Sequence, residues 1–317
     1  MKIVNLDGYT TNPGDLSWDW LGNYGEYKVY DRTAPEQIVE RAKGADILII
    51  NKSVITAQML ENLPNLKFVG LQSTGYNVID CKAARARNIT VSNIPAYSTT
   101  GVAQLVFAFI LQVADNVSLH SDAVHNGEWC ECPDFCFWKT PLTELDGKTI
   151  GIIGFGSIGR RVAQIANAFG MNVEVFTTHP KPDEYKNVNF VDFDTLLSDS
   201  DFITCHCPLT EKTENLIDKN AIDKMRKNAV VINTSRVPVV NDEDLADALN
   251  SGKIKAAGVD VLRVEPPEKE NPLLHAKNCY ITPHIAWAAY ETRARLLGIL
   301  EQNIKAYIDG NPINVVN

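Results

Sequence analysis

At 317 residues, 45% hydrophobic and 22% charged, the chain is long enough to bury two cores and too apolar to be disordered. A formal net charge of -9 argues against a surface built for nucleic acid or an anionic membrane. No stretch reaches the roughly 20 apolar residues of a membrane span and residues 1–15 hold no signal-type run; seven scattered cysteines, an odd number, fit a reduced, cytoplasmic protein better than a disulfide framework.

Short apolar runs at 2–6, 47–50, 68–71 and 89–91 predict buried strands, and the spacing at 34–43 and 80–88 predicts helices between them, a parallel βα arrangement. Residues 99–125 read as one long helix, apolar on more than one face, that opens a second domain. Cys130, Cys132 and Cys136 follow, with His125 just upstream. Their C-x-C-x3-C spacing is not a zinc pattern, so the expectation is no metal and a loop of small buried thiols. From 148 the segment TIGIIGFGSIGRRVAQIANAFG runs strand, glycine turn, helix. Strands at 173–176, 202–205, 230–233, 257–261 and 280–282 give the rhythm of a doubly wound sheet, and 290–308 reads as an amphipathic helix.

Gly154, Gly156 and Gly159 form G-x-G-x-x-G between the strand at 150–153 and the helix at 158–169. That context builds a pyrophosphate cradle, with the amides of Ser157 and Ile158 at the helix start. A nicotinamide dinucleotide normally finds a carboxylate about 20 residues further on, bonded to the ribose hydroxyls. Here the second strand ends in Thr177, Thr178, His179 and Lys181 instead. These groups donate hydrogen bonds to a ribose 2′-phosphate that a carboxylate would repel, so the expected cofactor is NADPH, or either NADPH or NADH.

Three polar residues then follow strands on the side where open α/β sheets bind ligands: Arg236, Glu265 and His284. Reduction of a 2-keto acid needs a cation for the carboxylate and a proton donor beside the keto oxygen. An arginine fork suits the first, and a histidine paired with a carboxylate the second, because the carboxylate favours the imidazolium.

These motifs resemble the D-isomer-specific 2-hydroxyacid dehydrogenase family over essentially the whole chain. The segments that carry the resemblance are LQSTGYNVID (71–80), VSNIPAYSTTGVAQL (91–105), TIGIIGFGSIGR (149–160), FITCHCPLTEKTENLI (202–217), VVINTSR (230–236), AAGVDVLRVEPP (256–267) and ITPHIAW (281–287). The resemblance implies an α/β fold of two doubly wound, Rossmann-like units. A cofactor domain at 99–288 would be inserted into a flavodoxin-like substrate domain made of 1–98 and 289–317. It gives Arg236 to substrate, Glu265 to tuning and His284 to acid/base chemistry; it sets the N–H groups of Thr74 and Gly75 on the substrate carboxylate, with Thr74 also near the cofactor. Cys207, Thr234, Ser235 and Asp260 would line the nicotinamide and its ribose, and a homodimer would form through the 99–125 region.

The H-I-A-W ending is closest to the glycerate dehydrogenase, or hydroxypyruvate reductase, branch, with Trp287 narrowing a pocket for hydroxypyruvate or glyoxylate. The alternatives are a reductase of phenylpyruvate or pyruvate, or a non-catalytic NAD(H)-sensing protein of corepressor type. Joint retention of Arg, Glu and His favours catalysis. Two departures stand out: Val237 and Pro238 follow the arginine where relatives carry Gly, and Gln104 replaces a glutamate. The backbone past Arg236 must therefore keep to conformations open to any residue.

Overall fold

The computed structural model describes residues 1–317. The chain forms two compact units: Met1–Ser98 together with Trp287–Asn317, and Thr99–Ala286, inserted between those two segments. The return crossing lies two residues before the expected 288/289, because residues 282–286 are tied by hydrogen bonds to Asp260 of the inserted unit.

In the first unit, β1 (Lys2–Asn5), α1 (Gly8–Thr11), β2 (Glu26–Val29), α2 (Ile38–Ala42), β3 (Ile47–Ile50), α3 (Ala57–Glu61), β4 (Phe68–Leu71), α4 (Cys81–Ala86) and β5 (Thr90–Ser92) follow in order. The strands form a parallel sheet ordered β2-β1-β3-β4-β5. All four residues of β3 are buried because side chains alternate between two covered faces. Leu48 and Ile50 pack with Leu60 and Ala84 on one side, and Ile47 and Ile49 with Phe68 on the other.

The inserted unit runs α5 (Thr99–Asp115), α6 (Val117–His125), β6 (Thr149–Ile153), α7 (Ser157–Ala168), β7 (Asn172–Phe176), β8 (Asn189–Phe190), α8 (Phe193–Asp199), β9 (Phe202–Cys205), α9 (Lys219–Lys224), β10 (Val230–Asn233), α10 (Asp242–Ser251), β11 (Ala256–Val259) and β12 (Cys279–Ile281). Its parallel sheet is ordered β12-β11-β10-β9-β6-β7-β8. Ile150, Ile152 and Ile232 meet Val106 and Ile110 of α5 and Val162 of α7 on one face. Ile203, Val231 and Ala257 meet Leu197, Ile222 and Leu245 of α8, α9 and α10 on the other. The strand order reverses between β6 and β9, which is where such a sheet opens a crevice at its carboxyl edge. Finally α11 (Tyr290–Ile308) returns to the first unit, laying Leu296, Leu300 and Ile304 on the face that carries Ile3, Ile47 and Phe68.

The single helix expected over 99–125 is broken. Asn116 sits at φ 47° and the axis bends by 54° between α5 and α6. Asparagine tolerates this left-handed conformation better than most residues, and its side chain is secured, Nδ2 donating to Thr140 Oγ1 at 3.0 Å and Oδ1 accepting from the Tyr280 hydroxyl at 3.2 Å. No single helix is long and apolar enough to cross a membrane.

Candidate active site in the inserted unit

The glycine turn closes the carboxyl end of β6. Gly154 lies at φ 93°, and a Cβ there would fall 2.7 Å from the backbone nitrogen of Cys207 and 2.8 Å from the carbonyl of His206. A Cβ on Gly159 would strike the Gly154 carbonyl oxygen, whereas one on Gly156 would meet nothing within 4 Å. The first glycine thus permits the turn, the third lets α7 approach β6, and the second faces open space from which a ligand can reach the backbone. Gly156 caps α7 without a side-chain acceptor, so the amides of Ser157 and Ile158 at the helix start remain available to an anion. The chain's own atoms therefore fit a dinucleotide pyrophosphate.

Beside this turn lies a cavity of about 270 Å³ lined by Phe155, Gly156, Arg160, Thr177, His179, Lys181 and Tyr185. Of the four residues anticipated at the end of β7, Thr177, His179 and Lys181 line it. Thr178 does not, its hydroxyl pairing with His179 Nδ1 at 2.9 Å. Arg160, in the first turn of α7, also lines the cavity, contributed by a helix and not by the strand end where a ribose contact is expected. Its guanidinium donates to the Phe155 carbonyl at 3.1 Å.

Cys207 follows β9, and burial pushes its thiol, like that of Cys205, up from the usual range, so both stay protonated. Thr234 and His206 each present a buried polar atom, Oγ1 and Nδ1, that finds no partner in the chain. Both atoms are open to a hydrogen bond from a bound group or a water. Asn233, at the end of β10, holds Ser235 and Arg236: its Oδ1 accepts from the N–H and the hydroxyl of Ser235, and its Nδ2 donates to the Arg236 carbonyl at 3.0 Å. Val237 then opens a 3-10 helix, Val237–Val239, and is itself buried. Val237 has no positive φ, so the missing glycine costs the backbone nothing at this point.

Arg236, Glu265 and His284 leave three neighbouring strands, β10, β11 and β12, at their common carboxyl edge. Arg236 is exposed, with Nη1 bonded to the Ser235 carbonyl at 2.8 Å. His284 Nδ1 lies 2.6 Å from Glu265 Oε2, and the other oxygen of that carboxylate accepts from the Leu262 N–H at 3.2 Å. The pair is about one-third exposed on each side, so ring and carboxylate stay within reach of a ligand. With Nδ1 engaged, Nε2 is the nitrogen left for a substrate. Asp260 is buried and heavily used, accepting from Thr282 Oγ1 at 2.6 Å and from the N–H groups of Ile285 and Ala286 at 2.8 and 2.9 Å.

In the first unit, Thr74 and Gly75 occupy the loop after β4, where the Thr74 hydroxyl donates to the Ile94 carbonyl at 2.7 Å. Trp287 packs against the apolar cluster around Leu296 and Tyr97. Cys130 and Cys136 are exposed and Cys132 half-buried, in place of the buried thiols expected there, and they do not gather with His125 into a metal-binding group.

The family profile described as the NAD binding domain of D-isomer specific 2-hydroxyacid dehydrogenases matches residues 107–286. A hydroxypyruvate reductase of Blautia hydrogenotrophica is 47% identical over the full length of both chains. A glycerate dehydrogenase of Methylorubrum extorquens is 39% identical over 92% of each. Among solved structures, an acyclic imino acid reductase in complex with NADPH and D-Arg superposes with a TM-score of 0.86 at 32% identity, covering all of both chains.

Proposed function

The chain belongs to the D-isomer specific 2-hydroxyacid dehydrogenase family, and from that membership we propose that its substrate is hydroxypyruvate, with glyoxylate second, reduced to the D-2-hydroxy acid by NADPH or NADH with NADPH preferred. As an oxidoreductase of 2-keto acids it must bind a carboxylate, receive a hydride at the keto carbon and deliver a proton to the keto oxygen. The observation that carries the reading is the 2.6 Å contact between His284 Nδ1 and Glu265 Oε2. It fixes the ring's orientation through Nδ1 and leaves the other nitrogen as the proton donor. Arg236 takes the substrate carboxylate through its remaining guanidinium N–H groups and polarises the carbonyl beside it. The bound dinucleotide supplies the hydride. In the oxidative direction His284 accepts the hydroxyl proton instead.

The preference for hydroxypyruvate rests on the Blautia hydrogenotrophica and Methylorubrum extorquens relatives. The preference for NADPH rests on the cations around the ribose-side cavity and on the NADPH bound in the imino acid reductase. Loss of reduced-cofactor absorbance, followed with hydroxypyruvate, glyoxylate, pyruvate and phenylpyruvate and with each cofactor in parallel, tests both. Fastest turnover with hydroxypyruvate and NADPH is the expected result. A larger kcat/KM for phenylpyruvate or pyruvate would overturn the substrate assignment.

A homodimer is part of the same proposal. Val117, Leu119 and Val124 of α6 and Trp129, Phe135, Trp138 and Leu142 of the loop after it are exposed, Phe135 by 89%. An apolar patch of that kind is normally covered by another surface, and a second copy of the chain is the occupant that the family resemblance implies. Sedimentation at a single monomer mass at micromolar concentration would refute it. All seven cysteines are free thiols, which agrees with a reducing, cytoplasmic location.

A further inference from the structure

We propose that Glu184 sets how strongly this protein selects for a 2′-phosphorylated cofactor, by acting as an internal anion on the cations that the phosphate requires. The inference rests on reading the cavity beside the glycine turn as the ribose end of the cofactor site.

The lining of that cavity includes two permanent cations, Arg160 and Lys181, a histidine, and the hydroxyls of Thr177 and Tyr185, with no carboxylate among them. Lys181 is not idle, because its ammonium stands 2.9 Å from Glu184 Oε2. Glu184 lies outside that lining, in an adjoining cavity of about 410 Å³ that shares Phe155, Arg160 and Tyr185 with the first. The two cavities therefore meet at Arg160 and Tyr185, with the carboxylate on one side and the open cationic site on the other. Hydrogen bonds from Lys181 and from Tyr185 hold the Glu184 carboxyl below its ordinary range, and the nearby Arg160 charge adds to this. Glu184 is thus ionised throughout the neutral range.

A doubly charged phosphate entering the cationic cavity has to draw Lys181 away from Glu184 and tolerate the carboxylate close by. A ribose with a free 2′-hydroxyl makes no such demand and leaves the pair closed. The strand end of β7 lacks the acid that ordinarily selects the unphosphorylated cofactor. Glu184 restores part of its electrostatic effect from the loop that follows, eight residues beyond Phe176. Because the ion pair is exposed, the effect is moderate: exposed pairs shift an equilibrium by up to about fivefold. Removal of the nearby negative charge adds to that, so about threefold to tenfold is expected in all.

The test uses 2′-AMP and 5′-AMP as probes, titrated calorimetrically against the wild-type full-length protein, Glu184→Gln and Arg160→Gln. Glu184→Gln should tighten 2′-AMP by about threefold to tenfold and leave 5′-AMP unchanged, and the NADPH-to-NADH ratio of kcat/KM should rise in parallel. Arg160→Gln should weaken 2′-AMP. If 2′-AMP depends on Arg160 but not on Glu184, the cavity is the phosphate site and the role given to Glu184 is wrong. If 2′-AMP binds no better than 5′-AMP and Arg160→Gln alters neither, the reading of the cavity falls and the proposal with it. Glu184 is exposed and the change is isosteric, so loss of folding does not confuse the result.

Discussion

Asp260 anchors the chain on both sides of His284. Its carboxylate accepts from the Thr282 hydroxyl two residues before and from the N–H groups of Ile285 and Ala286 just after, and between these anchors His284 is held at φ 54°. Few non-glycine residues adopt that conformation, so the loop needs the anchors to keep it. In Asp260→Asn an amide N–H replaces one acceptor oxygen and faces a donor. We expect a stability loss of about 1.5–3 kcal/mol by denaturant titration. A fall in kcat of about tenfold to a hundredfold should accompany it, with a smaller change in KM. An unaltered kcat would show that the ring keeps its place without Asp260.

His284→Ala removes the proposed proton donor and leaves the glycine turn and the cationic cavity untouched. Turnover should fall by about 10²–10⁴, while binding of reduced cofactor, followed by its fluorescence, stays within about twofold. Near-normal turnover in this variant would place the acid elsewhere.

Thr177→Asp puts a carboxylate into the cavity that holds Arg160 and Lys181. The NADPH-to-NADH ratio of kcat/KM should drop by about tenfold or more through repulsion of the 2′-phosphate. A ratio that does not move would mean that this cavity takes no part in choosing the cofactor.

Burial lowers the pKa of His206 to about 3. Its Nε2 is 2.9 Å from Thr204 Oγ1, and its Nδ1 is out of reach of solvent. The unfolded chain has an ordinary histidine at about 6.5, so between those values it binds the proton that the folded chain refuses. Stability is therefore fully present above about pH 6.5 and is lost as the pH falls toward 3. Between pH 7.5 and 5 the loss from this one group is at most about 2 kcal/mol. His206→Gln should flatten the dependence of Tm on pH over that interval. An identical slope in the variant would assign the acid sensitivity to other residues.

Much of this architecture was legible because its strands are buried on both faces and stand out as continuous apolar runs; β3, with Ile47–Ile50, is the plainest case. The edge strand β2 was not, since Glu26–Val29 alternates exposed and half-buried positions and carries charge, and neither was β8, which is only two residues long. The break at Asn116 left no mark in the apolar pattern because it depends on partners 24 and 164 residues away. At the site, the side chains proposed for catalysis follow strands and are visible as types, whereas the support given by Asn233, and the anchoring of the 282–286 loop by Asp260, which the family resemblance had set beside the cofactor ribose, act largely through backbone groups that no spacing rule displays. Arg160 was hidden for a related reason, being contributed by a helix to a cavity that sequence reasoning sought only at a strand end.

The insertion of one unit into the other sets an order on biosynthesis. When residues 1–98 leave the ribosome their sheet can form, but the face bearing Ile3, Ile47, Ile49 and Phe68, covered in part by Leu21, Ile94 and Tyr97 of the same stretch, lacks Leu296, Leu300 and Ile304 until α11 has been made, after the whole of 99–286. The C-terminal segment adds a further clasp, Val316 N–H bonding to the Val91 carbonyl beside the β5 edge. The inserted unit, whose own helices lie within its own stretch, is free to mature first, and the amino-terminal sheet must wait with one face only part-covered. Premature termination just after 286 would therefore release a nascent chain that holds a finished dinucleotide unit beside an amino-terminal sheet still missing α11, a natural target for chaperones.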